Sequence, residues 1–156
     1  MANVIIPILV AVIIIAALVT IHRVARSVSY GTRPSDLELG ADNCTYQSPI
    51  RVNHDDRRFG PGIYELALCH GVLGVTGRHG VALPTSTVAR VFYPQWWFHP
   101  SDVTVSTGES KALFRGAHLP SILLQYRREG ERHTLEIVPS ELAVLVERLA
   151  EAGFSS

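Results

Sequence analysis

The feature that most constrains this chain is an uninterrupted apolar run close to its N-terminus. The run extends from Val4 to Ile21, and Thr20 is its single polar residue. A helix of this length spans about 27 Å, which is close to the hydrocarbon thickness of a bilayer. Pro7 costs little there, because the first turn of a helix has no hydrogen bonds for a proline to break. The run therefore predicts a transmembrane helix, followed by a soluble part of modest size.

A cleaved secretory signal peptide is the competing interpretation of the same run. Only Met-Ala-Asn precedes it, so there is no positively charged n-region, and the run is longer than an ordinary h-region. His22, Arg23 and Arg26 follow directly, where a cleavage region is normally uncharged. Ser27-Val28-Ser29 does fit a small-x-small cleavage site. We expect an uncleaved anchor, with processing at this site as the alternative.

The arginines around the run set the expected orientation. Arg23, Arg26 and Arg33 all flank its C-terminal side, and no basic residue precedes it. The excess of positive charge marks the cytoplasmic side of a membrane helix. The prediction is a single-pass protein of the cell (inner or plasma) membrane, with its N-terminus outside and its domain in the cytoplasm. Cys44 and Cys69 are then expected to be reduced, whereas export would allow one disulfide.

The soluble part carries no dominant charge. The 156 residues include 14 basic and 14 acidic side chains, so their formal charges cancel. No overall field then attracts a polyanion, and we expect no nucleic-acid partner. The distribution of apolar, polar and turn residues divides the chain into a transmembrane anchor at 1–22, a polar linker at 23–47 and a β-rich domain at 48–156.

Short apolar runs separated by turn residues fill the domain. Their alternation of apolar and polar positions predicts antiparallel strands. Glu129-Gly130-Glu131 separates the last two runs and predicts the clearest hairpin in the chain. The predicted strands are 63–69, 72–76, 87–93, 103–107, 112–115, 121–128 and 132–138.

One amphipathic helix is predicted at the end of the chain. Ser140 is its expected N-cap, and Gly153 stands where a C′ glycine ends a helix. Phe154 is expected to fold back on the last turn. The helix carries a single apolar stripe at the spacings i, i+3, i+4 and i+7, formed by Leu142, Leu145, Val146 and Leu149.

Three segments carry a resemblance to a known family. They are the stretch GVLGVTG…ALPTSTVARV from Gly71 to Val91, the final hairpin, and the helix SELAVLVERLAEAGF. Together they resemble pleckstrin-homology (PH) and GRAM-like domains, including bacterial forms on membrane anchors. The resemblance implies a small α+β domain, a mostly antiparallel PH-like split barrel of about seven strands capped by a C-terminal amphipathic helix. The tryptophan typical of that helix in eukaryotic members is missing here, and a phosphoinositide-binding basic signature is not evident. The resemblance therefore implies a fold and no particular ligand.

Standard catalytic and cofactor signatures are absent from the sequence. It contains no G-x-x-x-x-G-K-[ST] loop, H-E-x-x-H helix, C-x-x-C pair or G-x-S-x-G elbow. Adjacent residues of a strand point to opposite faces, so Cys69 and His70 are not expected to pair as nucleophile and base. We therefore expect a protein without a cofactor and without enzymatic activity.

The densest polar group is His54-Asp55-Asp56. It needs a further ligand from elsewhere to bind a metal, and no spacing among the seven histidines supplies one. A solvated loop with internal pairing to the two following arginines is the simpler interpretation. The sequence therefore predicts no metal site.

The aromatic run Trp96-Trp97-Phe98 holds both tryptophans of the chain and is bracketed by prolines. The prolines are expected to keep it out of a central strand. If the run is exposed, these three side chains are candidates for contact with a partner or with the bilayer interface. If it is buried, it closes one end of the core. The sequence leaves both alternatives open.

Arginines crowd the last hairpin. Arg127, Arg128 and Arg132 lie there, and Arg115 is a further candidate for contact with an anion. Such a cluster suits anionic lipid headgroups, at about 1 kcal/mol per charge near a surface. Two glutamates in the same turn dilute the charge and favour a solvated hairpin instead.

These patterns together predict a membrane-tethered, non-enzymatic interaction or scaffold module that faces the cytoplasm and binds a protein partner. The alternative is a PH-like domain that binds an anionic lipid headgroup or another small anionic ligand.

Overall fold

The computed structural model describes residues 2–35, 43–55, 57–77, 93–111 and 118–154. Within these residues a long N-terminal helix precedes seven strands and a C-terminal helix. The elements are α1 (Ala2–Val28), β1 (Cys44–His54), β2 (Arg57–Cys69), β3 (Val72–Gly77), β4 (Trp96–Phe98), a 3-10 turn (Pro100–Asp102), β5 (Val103–Lys111), β6 (His118–Arg128), β7 (Glu131–Val138) and α2 (Leu142–Glu151).

The strands form one antiparallel sheet in the order β4-β3-β2-β1-β7-β6-β5. Every pair of neighbours in this order is antiparallel. β1 pairs with β2 on one side and, from Arg51 to His54, with β7 on the other. The predicted apolar helix, mostly antiparallel domain of about seven strands and closing helix are thus confirmed.

Alternate positions of the strands build the core. β1, β6 and β7 each place every second side chain against it, as the period of a strand requires. Each large aliphatic side chain buried there contributes about 1.5–3 kcal/mol. The most completely buried members are Leu66, Leu68, Leu73, Ile122, Leu124, Leu135 and Ile137 from the sheet and Leu145 and Leu149 from α2.

The end of α2 has the predicted geometry, but its beginning does not. Gly153 has a φ of 87°, and the Phe154 N–H donates to the carbonyl oxygen of Leu149, so Phe154 folds back and is buried. Ser140 is not the N-cap, because α2 begins at Leu142 after Glu141. The Ser140 hydroxyl lies 2.9 Å from that of Ser48 instead.

Most predicted strands are present and are longer than expected. The predictions at 63–69, 72–76, 103–107, 121–128 and 132–138 fall within β2, β3, β5, β6 and β7. The prediction at 112–115 lies outside the described residues, and so does that at 87–93 except for Tyr93, which is not in a strand. β1 and β4 were not predicted as strands, because β1 begins in the expected linker and β4 lies in the aromatic run.

The joint between anchor and domain differs from the expected flexible linker. α1 continues to Val28, and both Ala25 and Val28 are buried against the domain. Tyr30 then forms a parallel bridge with Trp96. The Tyr30 N–H donates to the Gln95 carbonyl at 2.9 Å, and the Trp97 N–H donates to the Tyr30 carbonyl at 2.9 Å. Residues 23–28, which were expected in the tether, belong to α1, and the chain adds to the edge of the sheet within two residues of the helix.

Within the described residues, α1 is the one helix long and apolar enough to cross a membrane, over Ile5–Val28. Its most apolar part is fully exposed.

The two cysteines form a disulfide. Cys44 and Cys69 are directly opposite each other in the pairing of β1 with β2, and their Cα atoms lie 4.0 Å apart. The expectation that both are reduced is therefore wrong for this structure. The bridge packs beside Trp97 in a small cluster separate from the main core.

Gly74 and Trp97 are opposite each other in the pairing of β3 with β4, and the indole covers the glycine. A Cβ at position 74 would overlap the indole ring. We expect Gly74→Ala to lower the free energy of unfolding by about 1–3 kcal/mol through overpacking, measured by urea denaturation.

The matched control is Gly74→Ala combined with Trp97→Leu. The smaller side chain leaves room for the Cβ, so the double variant should lose less stability than the sum of the two single changes. Additive losses would show that the indole is not what excludes a side chain at this position.

Candidate functional site

The last hairpin is hydrogen-bonded to the C-terminal end of α1. The Arg128 guanidinium donates to the carbonyl oxygen of Ser29 at 3.0 Å and also to that of Ser27. These carbonyls stand at the C-terminal end of α1, where a cation is favourable. The β6–β7 hairpin therefore lies beside the last turn of the predicted membrane helix.

The turn of this hairpin has the predicted sequence and a matching backbone. Glu129 and Gly130 have φ values of 54° and 87°. Positive φ at both central residues is typical of the two-residue turns that join antiparallel strands. Arg128 also lies 3.5 Å from the Glu129 carboxylate, a contact that partly neutralises one of the three arginines.

Arg127 and Arg132 form the exposed part of the arginine cluster. They are directly opposite each other in the pairing of β6 with β7, and both are exposed. Neither forms a salt bridge with any residue that the structure describes. Like charges in such a pair destabilise a sheet. An anion placed between them would relieve that repulsion.

A cavity of 410 Å³ adjoins the two arginines. Tyr30, Gln125 and Thr104 contribute polar groups to its lining. Asp102 lines it too, and its charge weakens the attraction for an anion. The Asp102 carboxylate accepts hydrogen bonds from the His99 N–H and the Ser101 hydroxyl, both at 3.1 Å. Burial, with Asp102 nearby, raises the pKa of Tyr30, which therefore stays a neutral donor at neutral pH.

Three of the four predicted anion contacts are thus brought together on one hairpin. Arg115, the fourth, lies outside the described residues. The proximity of this hairpin to the anchor was not predicted, because the hydrogen bonds that establish it join residues about a hundred positions apart.

The aromatic run is in the core, so the structure has the buried one of the two alternatives, and these side chains are not available as an exposed contact. Trp96, Trp97 and Phe98 form β4 and are at most 4% exposed. Trp96 and Phe98 face the main core, and Trp97 covers the disulfide on the opposite face. The alternation of a strand therefore buries all three residues, because both faces of the sheet are apolar at β4.

A polar cluster lies where the paired parts of β1 and β7 end. His54 is buried, and its Nε2 lies 2.7 Å from the Tyr126 hydroxyl. Asp55 accepts hydrogen bonds from His133 Nδ1 at 2.6 Å and from the Thr134 N–H at 2.8 Å. The sequence pointed to His54 and Asp55 but missed His133, which belongs to a strand far along the chain.

Two pKa shifts follow from this arrangement. Burial raises the pKa of Tyr126 to about 12, although contact with the Trp96 indole acts in the opposite direction. Burial also raises the pKa of Asp55, but the hydrogen bonds from His133 and Thr134 outweigh it and bring the pKa below its usual value. At neutral pH the cluster therefore holds a neutral phenol and an ionised carboxylate.

Comparison with protein-family models, with curated proteins and with solved structures found no match.

The contact between His54 and Tyr126 predicts a stability effect. Tyr126→Phe leaves a buried imidazole nitrogen without its phenolic partner, so the free energy of unfolding should fall by about 1–3 kcal/mol. Chemical denaturation measures it, with Tyr93→Phe, an exposed tyrosine, as the control. Equal stabilities of the Tyr126 variant and the unaltered protein would contradict the assigned contact.

Proposed function

We propose that this chain is a membrane-anchored, non-enzymatic interaction module with a PH-like domain that binds anionic headgroups at the surface of its own membrane. The strand order, with β1 between β2 and β7, and the C-terminal helix support the PH-like part. The observation that carries the ligand class is the attachment of the arginine hairpin to the end of the anchor through Arg128.

The attachment matters because it limits the distance between the arginines and the membrane. Residues 22–28 continue α1 beyond the apolar run by about 10 Å, at 1.5 Å per residue. The headgroup region extends about 5–7 Å beyond the hydrocarbon core on each side, so the end of α1 lies at its outer edge. Arg127 directly precedes Arg128, which contacts Ser29, and Arg132 lies opposite Arg127 in the pairing of β6 with β7. A headgroup phosphate at this level meets two guanidinium groups that form no salt bridge with a described residue, and guanidinium groups bind phosphate in a bidentate manner.

Burial of Trp96, Trp97 and Phe98 also favours this ligand over a protein partner held by the aromatic run. Large aromatic side chains anchor partners only when they are accessible. The arginines are accessible, and the indoles are not.

The proposal predicts binding of a soluble short-chain anionic phospholipid to the full-length protein in neutral detergent. Arg127→Gln and Arg132→Gln should each weaken binding about fivefold, which corresponds to about 1 kcal/mol per charge. Binding should also weaken as salt increases, since exposed charges are screened. Isothermal titration calorimetry measures these affinities.

Arg51→Gln is the matched control, because Arg51 is an exposed arginine of β1 outside the hairpin. It should bind as the unaltered protein does, and a zwitterionic short-chain lipid should not compete. The two hairpin variants should also be at least as stable as the unaltered protein, because each relieves a like-charge pair. Unchanged affinity in both hairpin variants would refute the headgroup site.

A protein partner is the second candidate ligand, and a separate groove supports it. The groove has a volume of 560 Å³ and a mostly apolar lining, to which Pro49, Leu119, Pro120 and Pro139 contribute. Leu119, Pro120 and Pro139 are at the ends of β6 and β7 remote from the arginine hairpin, and Pro49 belongs to β1. An apolar segment of a partner fits such a surface. Leu119→Glu would abolish that capture and leave lipid binding intact.

The orientation proposed from the arginines places the domain in the cytoplasm. The Cys44–Cys69 disulfide favours the opposite side, because stable disulfides are rare in the cytosol of mesophiles. The arginine rule concerns the insertion step itself, so the two features predict opposite orientations and the orientation has to be measured.

A reporter cysteine tests the orientation independently of the bridge. In the variant Cys44→Ser, Cys69→Ser, Ser101→Cys, the single thiol is at an exposed position. In intact cells it should react with a membrane-permeant maleimide and resist an impermeant one. Labelling by the impermeant reagent would place the domain outside, where the disulfide is expected to persist.

A further inference from the structure

The cluster of His54, Asp55 and His133 contains the ligand atoms of a transition-metal site. Its carboxylate and two imidazoles offer one atom each, and the three atoms lie within 4.8 Å of one another. Imidazole nitrogen with carboxylate oxygen is a donor set that Zn²⁺, Ni²⁺ and Cu²⁺ accept, whereas Mg²⁺ and Ca²⁺ prefer oxygen alone. The chemistry therefore points to a divalent transition metal.

The backbone conformation explains how two consecutive residues, His54 and Asp55, can direct their side chains to the same metal site. In a regular strand, the side chains of residues 54 and 55 would point to opposite faces. Asp55 instead has a φ of 44°, just beyond the end of β1. Its N–H donates to the Thr134 carbonyl at 3.0 Å, which holds this bend against β7. The carboxylate consequently turns to the same side as the His54 ring.

The distances suit coordination. In a tetrahedral zinc site, ligand atoms are about 3.4 Å apart, given metal–ligand bonds of about 2.0–2.1 Å. His54 Nε2 and Asp55 Oδ2 are 3.6 Å apart. His133 Nδ1 and Asp55 Oδ2 are 2.6 Å apart, the length of a hydrogen bond. Binding a metal would replace that proton and widen this distance by about 0.8 Å.

The surroundings of the ligands are already organised. Asp55 Oδ1 accepts the Thr134 N–H at 2.8 Å, which leaves Oδ2 directed at the imidazoles. The rings of His54 and His133 are stacked, with centroids 5.6 Å apart. His54 is buried, while Asp55 is exposed and gives an ion a way in. Supporting contacts of this kind fix the orientation of metal ligands.

We propose that His54 Nε2, Asp55 Oδ2 and His133 Nδ1 bind one zinc-class divalent ion, which joins the end of β1 to β7. A metal on His54 Nε2 would replace the 2.7 Å hydrogen bond between this nitrogen and the Tyr126 hydroxyl, and a water molecule would complete the coordination. The site is independent of the headgroup proposal, because neither Arg127 nor Arg132 takes part in it. It closes a loop of about eighty residues, so the metal should stabilise the fold.

The test uses full-length protein with a tag that contains no histidine, stripped of metal with a chelator. Titration with Zn²⁺ should give one site per chain and raise the thermal midpoint as its concentration increases, and Mg²⁺ should do neither. Co²⁺ in place of Zn²⁺ should give the visible absorption bands of a tetrahedral site with nitrogen and oxygen ligands. The spectrum needs no variant and is therefore insensitive to misfolding.

His133→Gln and Asp55→Asn should each weaken zinc binding at least tenfold, with far-UV circular dichroism confirming their folding. His118→Ala is the matched control, since His118 lies 3.6 Å from the Glu109 carboxylate but has no described third ligand. Absence of a single zinc site, or zinc binding that survives both ligand variants, would overturn the proposal. The three side chains would then serve only as a hydrogen-bonded connection between β1 and β7.

Discussion

The pairing of β1 with β7 is the contact on which the rest of the domain depends. Four residue pairs, from Arg51 to His54 on β1, join the two halves of the sheet. We call these four pairs the seam of the sheet. Asn53 and Glu136 are opposite each other in it, and the Asn53 amide donates to the Glu136 carboxylate at 2.5 Å. The hydroxyls of Ser110 and Ser121 donate to the same carboxylate, which connects the seam to β5 and β6. Because its partners are far apart in sequence, loop-closure entropy opposes this pairing, and side-chain contacts across it offset that cost.

The seam also explains why the polar features of the domain gather at one end. The pairing brings the turn after β1 next to the middle of β7, so that Asp55 meets His133. The hairpin between β6 and β7 begins two residues from Tyr126, which contacts His54 from the core side. The same hairpin holds the end of α1 through Arg128. One end of the sheet thus combines the anchor, the arginines and the candidate metal ligands, and the apolar groove lies at the other.

Local patterns predicted the elements whose causes are local. The apolar run of α1, the Glu-Gly-Glu hairpin and the glycine that ends α2 each act within a few residues, so the sequence displays them directly. The strand β1 was missed because its residues are polar on the outward side and its first half resembles a linker. The aromatic run was left open because burial on both faces depends on Gly74 and on the disulfide, which come from other strands. Ser140 has the side chain of a cap, yet its hydroxyl pairs with Ser48, a residue that no local rule connects to it.

The sequence by itself determined that the chain has a long apolar N-terminal helix, a β-rich domain and a closing amphipathic helix, because hydrophobic periodicity and turn residues are local properties of the sequence. The tertiary structure alone decided which distant side chains meet. It turned an expected tether into a joint between α1 and β4, gave His54 and Asp55 a third neighbour in His133, and placed the arginines beside the anchor. The physical reason is that strand order and register, rather than any local propensity, determine these contacts.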